Sequence, residues 1–162
     1  MGINEAGFAV MNSNTYNLND VLIDGIDDGR IMRLALERCR NISDFERILD
    51  VTSVTGRQDC WNFGAIDAAG NAAMYECANF SYTKYDAHDT LNEGDGLVLR
   101  ATFSLSGDSD RDGFSRYKRA KHLVNHRMRA DRVDVEFVLQ TLARDLANPL
   151  DDPYPLPYNG SQ

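Results

Sequence analysis

Three cysteines, Cys39, Cys60 and Cys77, are the only thiols in the chain. A cysteine becomes a strong nucleophile when nearby positive charge lowers the pKa of its thiol. Cys60 instead follows Asp59, whose carboxylate raises the pKa of the thiol, and it would lead a chain only if the polypeptide were cut before it. We interpret Cys39 and Cys77 as small buried apolar residues. Three cysteines are an odd number and none has a CxxC spacing, so no disulfide framework or zinc site is predicted.

Two further groups of side chains suggest metal binding. His122 and His126 are four residues apart on a predicted helix, but no HExxH arrangement supplies a third ligand, so a solvated helix face is favoured. The acidic stretch 108–113 resembles a calcium loop, but Arg119 stands where the loop needs a glutamate. A solvated loop is favoured there, and no metal or organic cofactor is expected.

The composition limits the kinds of partner that the chain can bind. Its 162 residues suit one domain, and 17 basic against 25 acidic residues give a formal net charge of −8. A general nucleic-acid binder needs a basic surface, so nucleic acid is not an expected partner. Apolar runs fall short of the roughly 18 residues needed to span a bilayer. The first residues lack the features of a secretory leader, and the cellular compartment stays open.

The first half of the chain combines a short strand with two helices. A glycine-containing turn over 2–7 leads into a buried strand over 8–11. Apolar residues at helical spacing predict a helix over 29–40. Ser43 and Glu46 have the spacing of a capping box, which predicts a second helix that ends near Val54.

The second half of the chain predicts a hairpin, further strands and two more helices. The strands are expected at 60–67 and 71–77 around a glycine turn, then at 80–86 and 97–105, with a turn at 92–96 between these last two and a polar loop at 106–113. Helices are predicted over 114–128 and 133–147. Separate runs of helices and strands indicate an α+β fold. We expect an incomplete domain over 1–148 and a proline-rich extended arm or linker over 149–162.

Four segments, in this order, resemble one family. They are residues 2–10 (GINEAGFAV), residues 62–73 (NFGAIDAAGNAA) with Glu76, residues 97–103 (LVLRATF) and residues 115–120 (SRYKRA). They are similar to motifs of the penicillin acyltransferase family (acyl-coenzyme A:6-aminopenicillanic acid acyltransferase), which are N-terminal-nucleophile hydrolases with choloylglycine hydrolase as a more distant relative. Each motif alone is weak, but the four occur in the family's order.

The resemblance implies a fold and a reaction. The fold would be part of a four-layer αββα sandwich built from antiparallel sheets and helix pairs. A cysteine freed as the first residue by autoproteolysis would attack a linear amide C–N bond, with its own α-amino group as base, and form an acyl-thioester. The expected ligand is a small-molecule acyl amide. Whether the acyl group passes to water or to an amine stays open.

The resemblance also assigns roles to four side chains. Asn14 matches an oxyanion-hole asparagine, although it also suits a turn that caps the strand end. Thr102 stands where the family has asparagine and can donate one hydrogen bond, or it packs on its strand. Arg116 would orient the nucleophile or substrate, or form an ion pair at a helix start. For Arg100, contact with a substrate carboxylate is possible, but a structural ion pair is favoured.

The chain departs from the family's pattern at the nucleophile. The family's cysteine lies upstream of the turn at 2–7, where this sequence has Met1 alone. We therefore expect an internal piece of a larger enzyme that is inactive alone, with missing N- and C-terminal segments as partners and a tendency to self-associate. The alternative is a non-catalytic binding or interaction remnant of the family. A third possibility is an unrelated α+β domain that carries these motifs by coincidence.

Overall fold

The computed structural model divides the chain into two compact units, Met1–Asp112 and Gly113–Gln162, which are described separately. The residues that the structure describes are 1–18, 23–89, 96–108, 113–128 and 133–144. Among these residues, no helix combines the length and the hydropathy that a membrane crossing requires.

The first unit contains one antiparallel sheet of five strands that lie side by side in chain order. The strands are β1 (Gly2–Ile3), β2 (Ala9–Asn14), β3 (Trp61–Ile66), β4 (Ala72–Cys77) and β5 (Tyr82–Asp86). The predicted hairpin is confirmed as β3 and β4, with Gly70 at a φ of 86° in its turn. The first predicted strand extends further than expected, because the polar residues at the end of β2 pair with β3 as far as Asn14 and Trp61.

Two helices connect β2 to β3, and together with the sheet they give the α+β fold that the pattern predicted. They are α1 (Asp28–Arg38) and α2 (Ile42–Thr55). The predicted cap of α2 at Ser43 is wrong. Asn41 caps the helix instead, since its side-chain oxygen accepts the backbone N–H of Asp44 at 3.0 Å, and asparagine is among the best N-cap residues.

One face of the sheet, here called the helix face, packs against α1 and α2. Phe45 of α2 lies at its centre, with ring centroids 5.9 Å from Phe8, 5.9 Å from Phe63 and 5.4 Å from Tyr75. All four side chains are completely buried. Burial of large aromatic side chains is the main source of free energy for this core.

The opposite face, here called the far face, carries side chains that alternate with those of the helix face. In its apolar half, Met11 pairs with Gly64 and Gly64 pairs with Met74. Met11 and Ile66 remain 48% and 54% exposed. A groove of about 550 Å³ follows this half and is lined mainly by apolar residues. A Cβ at Gly64 would lie 2.9 Å from the Met74 sulfur, so a larger residue there would make the flexible methionine side chain shift.

The strand predicted over 97–105 is wrong. These residues form an irregular segment, and within the described part of the chain their only β pairing is an isolated bridge between Ala101 and Phe103. The segment crosses the polar half of the far face, which carries Ser13, Asn62 and Glu76. Side chains of the sheet there form the hydrogen bonds that a neighbouring strand would otherwise supply. Its apolar, β-branched sequence favoured a strand, but tertiary contacts override such a preference.

The second unit begins with α3 (Phe114–Met128), a helix with the predicted limits. The rings of Phe114 and Tyr117 stack with centroids 6.3 Å apart. A π-helical stretch (Phe137–Thr141) and a 3₁₀ turn (Leu142–Arg144) occupy part of the region predicted as a helix over 133–147. Residues 92–95 of the expected turn, residues 109–112 of the loop at 106–113 and the whole arm at 149–162 lie outside the described residues.

Candidate active site at the end of strand β2

The structure places the segments that carry Asn14 and Thr102 side by side. Ser13 precedes Asn14 and its hydroxyl donates to the carbonyl of Ala101, the residue before Thr102, at 3.0 Å. Asn14 is exposed at the end of β2, whereas Thr102 is half-buried. The two residues predicted to stabilise an oxyanion are therefore carried by neighbouring segments of the first unit. Asn14 pairs with Trp61, so its side chain leaves β2 on the side opposite to that of Ser13.

A second set of hydrogen bonds joins the same two segments beyond Asn14. The hydroxyls of Thr15 and Ser104 lie 2.7 Å apart. Asn17 accepts the backbone N–H of Ser104 at 2.8 Å and donates to the carbonyls of Ser104 at 2.6 Å and Asp108 at 2.8 Å. Thr15, Asn17 and Ser104 are buried, so these bonds satisfy polar groups that would otherwise destabilise the fold.

Asn62 of β3 holds the same segment from the sheet below it. Its side-chain N–H₂ donates to the carbonyls of Ala101 at 3.2 Å and Phe103 at 3.1 Å, the two residues that flank Thr102. Its side-chain oxygen accepts the Ser104 hydroxyl at 2.7 Å. A single buried amide thus contacts the segment on both sides of Thr102.

Glu76 of β4 holds the two ends of residues 100–106, here called the anchored loop. Its carboxylate accepts the backbone N–H groups of Leu105 and Ser106, both at 2.7 Å, and the Ser106 hydroxyl at 2.5 Å. At the other end of the loop, Arg100 donates to the same carboxylate and forms an ion pair with it. A carboxylate with this many donors can be buried in its charged form.

Arg100, predicted as a substrate-binding residue, lies inside the first unit. The side chains of Arg100 and Glu76 are both 0% exposed. The guanidinium carbon also lies 4.1 Å from the ring centroid of Tyr85, a distance typical of a cation–π contact. The structure therefore directs this guanidinium towards groups of the protein itself.

Arg116 lies in the second unit, in the first turn of α3, where its side chain is exposed. On the same helix, His122 and His126 are also exposed. Among the residues that the structure describes, no cluster of three or more His, Cys, Asp or Glu side chains has an arrangement that could hold a metal ion.

All three cysteines are buried. Burial raises the pKa of the Cys39 thiol to about 11, and the nearby carboxylate of Asp44 adds to this effect. Burial likewise raises the pKa of the Cys77 thiol to about 12, although the positive charge of Arg57 acts in the opposite direction. Both thiols stay protonated at neutral pH, so neither has the thiolate that nucleophilic attack requires.

Asn62 and Glu76 are the two residues of this site whose function sequence reasoning missed. Both stand in the hairpin motif, but no role was assigned to them. The available signal was their polarity, since Asn62 lies between Trp61 and Phe63 in a strand that is otherwise apolar. A polar residue buried in such a strand must find hydrogen-bond partners, and here the partners are in the anchored loop.

The fold and this polar site define an α+β protein with candidate groups for stabilising negative charge at one end of an antiparallel sheet. A family model described as acyl-coenzyme A:6-aminopenicillanic acid acyl-transferase matches residues 1–91, more than half of the 162 residues. The chain belongs to this family, which suggests acyltransferase or amidase activity. Searches of curated proteins and of solved structures each returned no match.

The matched residues extend from β1 to a point just beyond β5. They include Asn14, Asn62 and Glu76. Arg100, Thr102 and Arg116 lie beyond them, so their roles depend on the resemblance of the shorter motifs and on the geometry described above.

Proposed function

We propose that this chain supplies the oxyanion-stabilising part of an enzyme that cleaves or transfers the acyl group of a linear amide. Asn14 and Thr102 would donate hydrogen bonds to the oxygen that becomes negatively charged in the tetrahedral intermediate. The observation that carries this proposal is the placement of Asn14 at the end of β2 and of Thr102 on the adjacent segment, which a hydrogen bond between Ser13 and Ala101 holds against the far face. Because side chains alternate along β2, Asn14 would reach the oxygen around the end of the strand. Family membership supplies the reaction class.

The two donors differ in reach. Both donors are uncharged, but the amide N–H₂ of Asn14 extends further from the backbone than the hydroxyl of Thr102. A positioned donor of this kind contributes about 10²- to 10³-fold to kcat, because it acts on charge that develops only in the transition state. Replacement of the family's asparagine by Thr102 therefore weakens this contribution without removing it.

The nucleophile in this proposal is a cysteine outside these 162 residues. The thiols of Cys39 and Cys77 are buried with raised pKa values, and Cys60 is buried as well. In the mechanism that the resemblance implies, an N-terminal cysteine attacks the amide carbonyl while its α-amino group accepts the thiol proton. The acyl group then passes from the thioester to water or an amine.

The sheet also fits the architecture implied by the resemblance. The helix face is covered by α1 and α2, whereas the apolar half of the far face keeps Met11 and Ile66 about half exposed. In a four-layer αββα sandwich this far face would pack against a second sheet, which removes such side chains from water.

The two arginines have different tasks in this proposal. Arg116, exposed on α3, would orient the substrate or the nucleophile through its planar guanidinium. Arg100 acts through Glu76, to which it is paired in the interior. It holds the anchored loop in place instead of contacting the substrate.

The test compares this chain with the protein encoded by the reading frame that contains it. Both are incubated with linear acyl amides, and the released amine is measured. We expect no turnover by the chain alone and measurable turnover by the longer protein. In the longer protein, Asn14→Ala should lower kcat about 10²- to 10³-fold, and Thr102→Val should lower it by a smaller factor. Asn125→Ala, at an exposed position of α3, is the matched control and should keep full activity.

The rival function is a non-catalytic remnant, which the burial of all three cysteines also favours. It predicts that the longer protein contains no alkylatable reactive cysteine and releases no amine. That result would overturn the proposed function. Turnover by the chain alone, retained after dialysis, would contradict the assignment of the nucleophile to another segment.

A further inference from the structure

The tip of the anchored loop is held by a buried side chain of β3, in addition to Ser13, whose hydroxyl donates to the Ala101 carbonyl. Asn62 is completely buried, and its amide group bonds the carbonyls of Ala101 and Phe103. These carbonyls flank Thr102, so their fixed positions restrict the backbone of Thr102 from both sides. The Ser104 hydroxyl donates to the Asn62 side-chain oxygen at 2.7 Å and adds a third hydrogen bond on the C-terminal side of the tip.

The base of the loop is held by the neighbouring side chain on the next strand. Glu76 bonds Arg100 at one end and the backbone N–H groups of Leu105 and Ser106 at the other. Hydrogen bonds to a charged acceptor are stronger than neutral ones, each contributing about tenfold or more to a local equilibrium. The ends of the loop are thus tied to a single buried carboxylate.

The two anchors stand directly opposite each other in the sheet. Asn62 of β3 pairs with Glu76 of β4 in the antiparallel register, and both belong to the far face. Strands in the middle of a sheet are rigid supports, on which functional groups are held more accurately than on loops. The sheet therefore provides a fixed platform for an otherwise irregular segment.

We propose that Asn62 and Glu76 are positioning residues. They hold the backbone of the anchored loop so that the Thr102 hydroxyl keeps one position. The proposal rests on the proposed function only in taking Thr102 as an oxyanion donor. Neither anchor contacts the reacting atoms. Each acts through the backbone of residues 100–106.

The test measures the order of the loop directly in the 162-residue chain. The Thr102 methyl signal is followed by NMR and assigned through its disappearance in Thr102→Ser, while amide hydrogen exchange is measured across the anchored loop. In Asn62→Ala we expect the methyl signal to shift and broaden. Amide exchange in the loop should become about ten- to hundredfold faster, since buried hydrogen bonds are lost.

Two variants separate positioning from general loss of structure. Asn62→Leu keeps the size of the side chain and removes its amide group without adding a charge opposite Glu76, so it should show the same local effect in a folded protein. Asn79→Ala is the matched control. Asn79 is also buried and donates its side-chain N–H₂ to a backbone carbonyl, that of Arg57, in another part of the first unit. It should leave the Thr102 signal unchanged.

Glu76→Gln tests the second anchor. It preserves the size of the side chain but removes its charge, so exchange at Leu105 and Ser106 should rise about tenfold or more. In the longer protein, Asn62→Leu and Glu76→Gln should lower kcat and leave KM unchanged, because they displace a donor that acts in the transition state.

The outcomes are distinguishable. An unchanged Thr102 signal in both Asn62 variants, or equal effects in Asn79→Ala, overturns the proposal. A loosened loop with unchanged kcat in an active longer protein also overturns it, while leaving the proposed function intact. If the longer protein is inactive, the proposed function fails by itself, and the NMR and exchange results alone decide whether Asn62 and Glu76 fix Thr102.

Discussion

At the scale of single residues, Arg57 is a completely buried arginine of the first unit. Its guanidinium donates to the carbonyls of Ala78 at 2.8 Å, Ser81 at 2.5 Å and Leu49 at 3.1 Å, and to the Thr52 hydroxyl at 2.8 Å. Burial lowers the pKa of this guanidinium, but its acceptors keep the charged form favourable. Arg57 therefore links the C-terminal end of α2, where a positive charge is stabilising, to the turn between β4 and β5.

Replacement of Arg57 should destabilise the fold without changing the candidate site. We expect Arg57→Met to lower the free energy of unfolding by about 2–4 kcal/mol, because several buried acceptors lose their donor. Arg57→Lys should recover only part of this loss, since an ammonium group lacks the planar array of donors. Urea unfolding followed by the fluorescence of Trp61, the single tryptophan, measures both effects.

The control for this prediction is Arg33→Met, at a helix position where the arginine side chain is 79% exposed. It should change the free energy of unfolding by less than about 0.5 kcal/mol. Equal stability of Arg57→Met and Arg33→Met would contradict the structural role given to Arg57.

At the scale of elements, Asp67 joins the β3–β4 turn to the start of α2. One carboxylate oxygen accepts the backbone N–H groups of Ala69 at 3.0 Å and Asn71 at 3.2 Å, and the other accepts that of Ile42 at 3.2 Å. Burial acts to raise the pKa of Asp67, but the hydrogen bonds from Asn71, Ile42 and Ala69 together lower it below its usual value. The ionised carboxylate is therefore part of the native structure.

The stability that Asp67 contributes should depend on pH. Because its pKa is lower in the folded state, this contribution is complete above the unfolded value of about 4 and disappears as pH falls through the folded value. Asp67→Asn should lower the free energy of unfolding by about 1–3 kcal/mol at pH 7. The difference from the wild type should shrink in more acidic solution.

Urea unfolding at a series of pH values tests this prediction, with Glu37→Gln as the control. The Glu37 side chain is half exposed and pairs with Arg33 within α1, so its replacement should have a small effect at every pH. A constant stability difference between wild type and Asp67→Asn across the acidic range would contradict the prediction.

At the scale of the whole molecule, the far face of the sheet exposes apolar side chains to solvent. Met11, Ile66 and Ile3 are exposed there beside an apolar groove. Contiguous apolar surface of this kind promotes association in water. We expect the isolated chain to self-associate, and the double variant Met11→Lys and Ile66→Lys to raise the fraction of monomer in light scattering after gel filtration.

Val54→Lys provides the matched control, because Val54 of α2 is apolar and 83% exposed but does not belong to the far face. It should leave the association unchanged. A wild-type chain that is a monodisperse monomer over the whole concentration range would show that the exposed face is not an association surface.

Much of the fold could be predicted from the sequence because local patterns control local structure. The apolar spacing of α1, α2 and α3 and the glycine turn between β3 and β4 depend on residues close together in the chain, and all four elements are observed. The strand predicted over 97–105 failed for the opposite reason. Its hydrogen-bond partners are the side chains of Ser13, Asn62 and Glu76, which are distant in sequence.

By itself, the sequence determined the α+β class and the family, because both depend on local periodicity and on short ordered motifs. Only the tertiary structure decided that Asn14 and Thr102 lie on adjacent segments and that Arg100 is paired with Glu76 in the interior. The physical reason is that hydrogen bonds between buried polar groups join residues tens of positions apart. Composition and spacing predict that such groups need partners, but the packed sheet determines which partners they have.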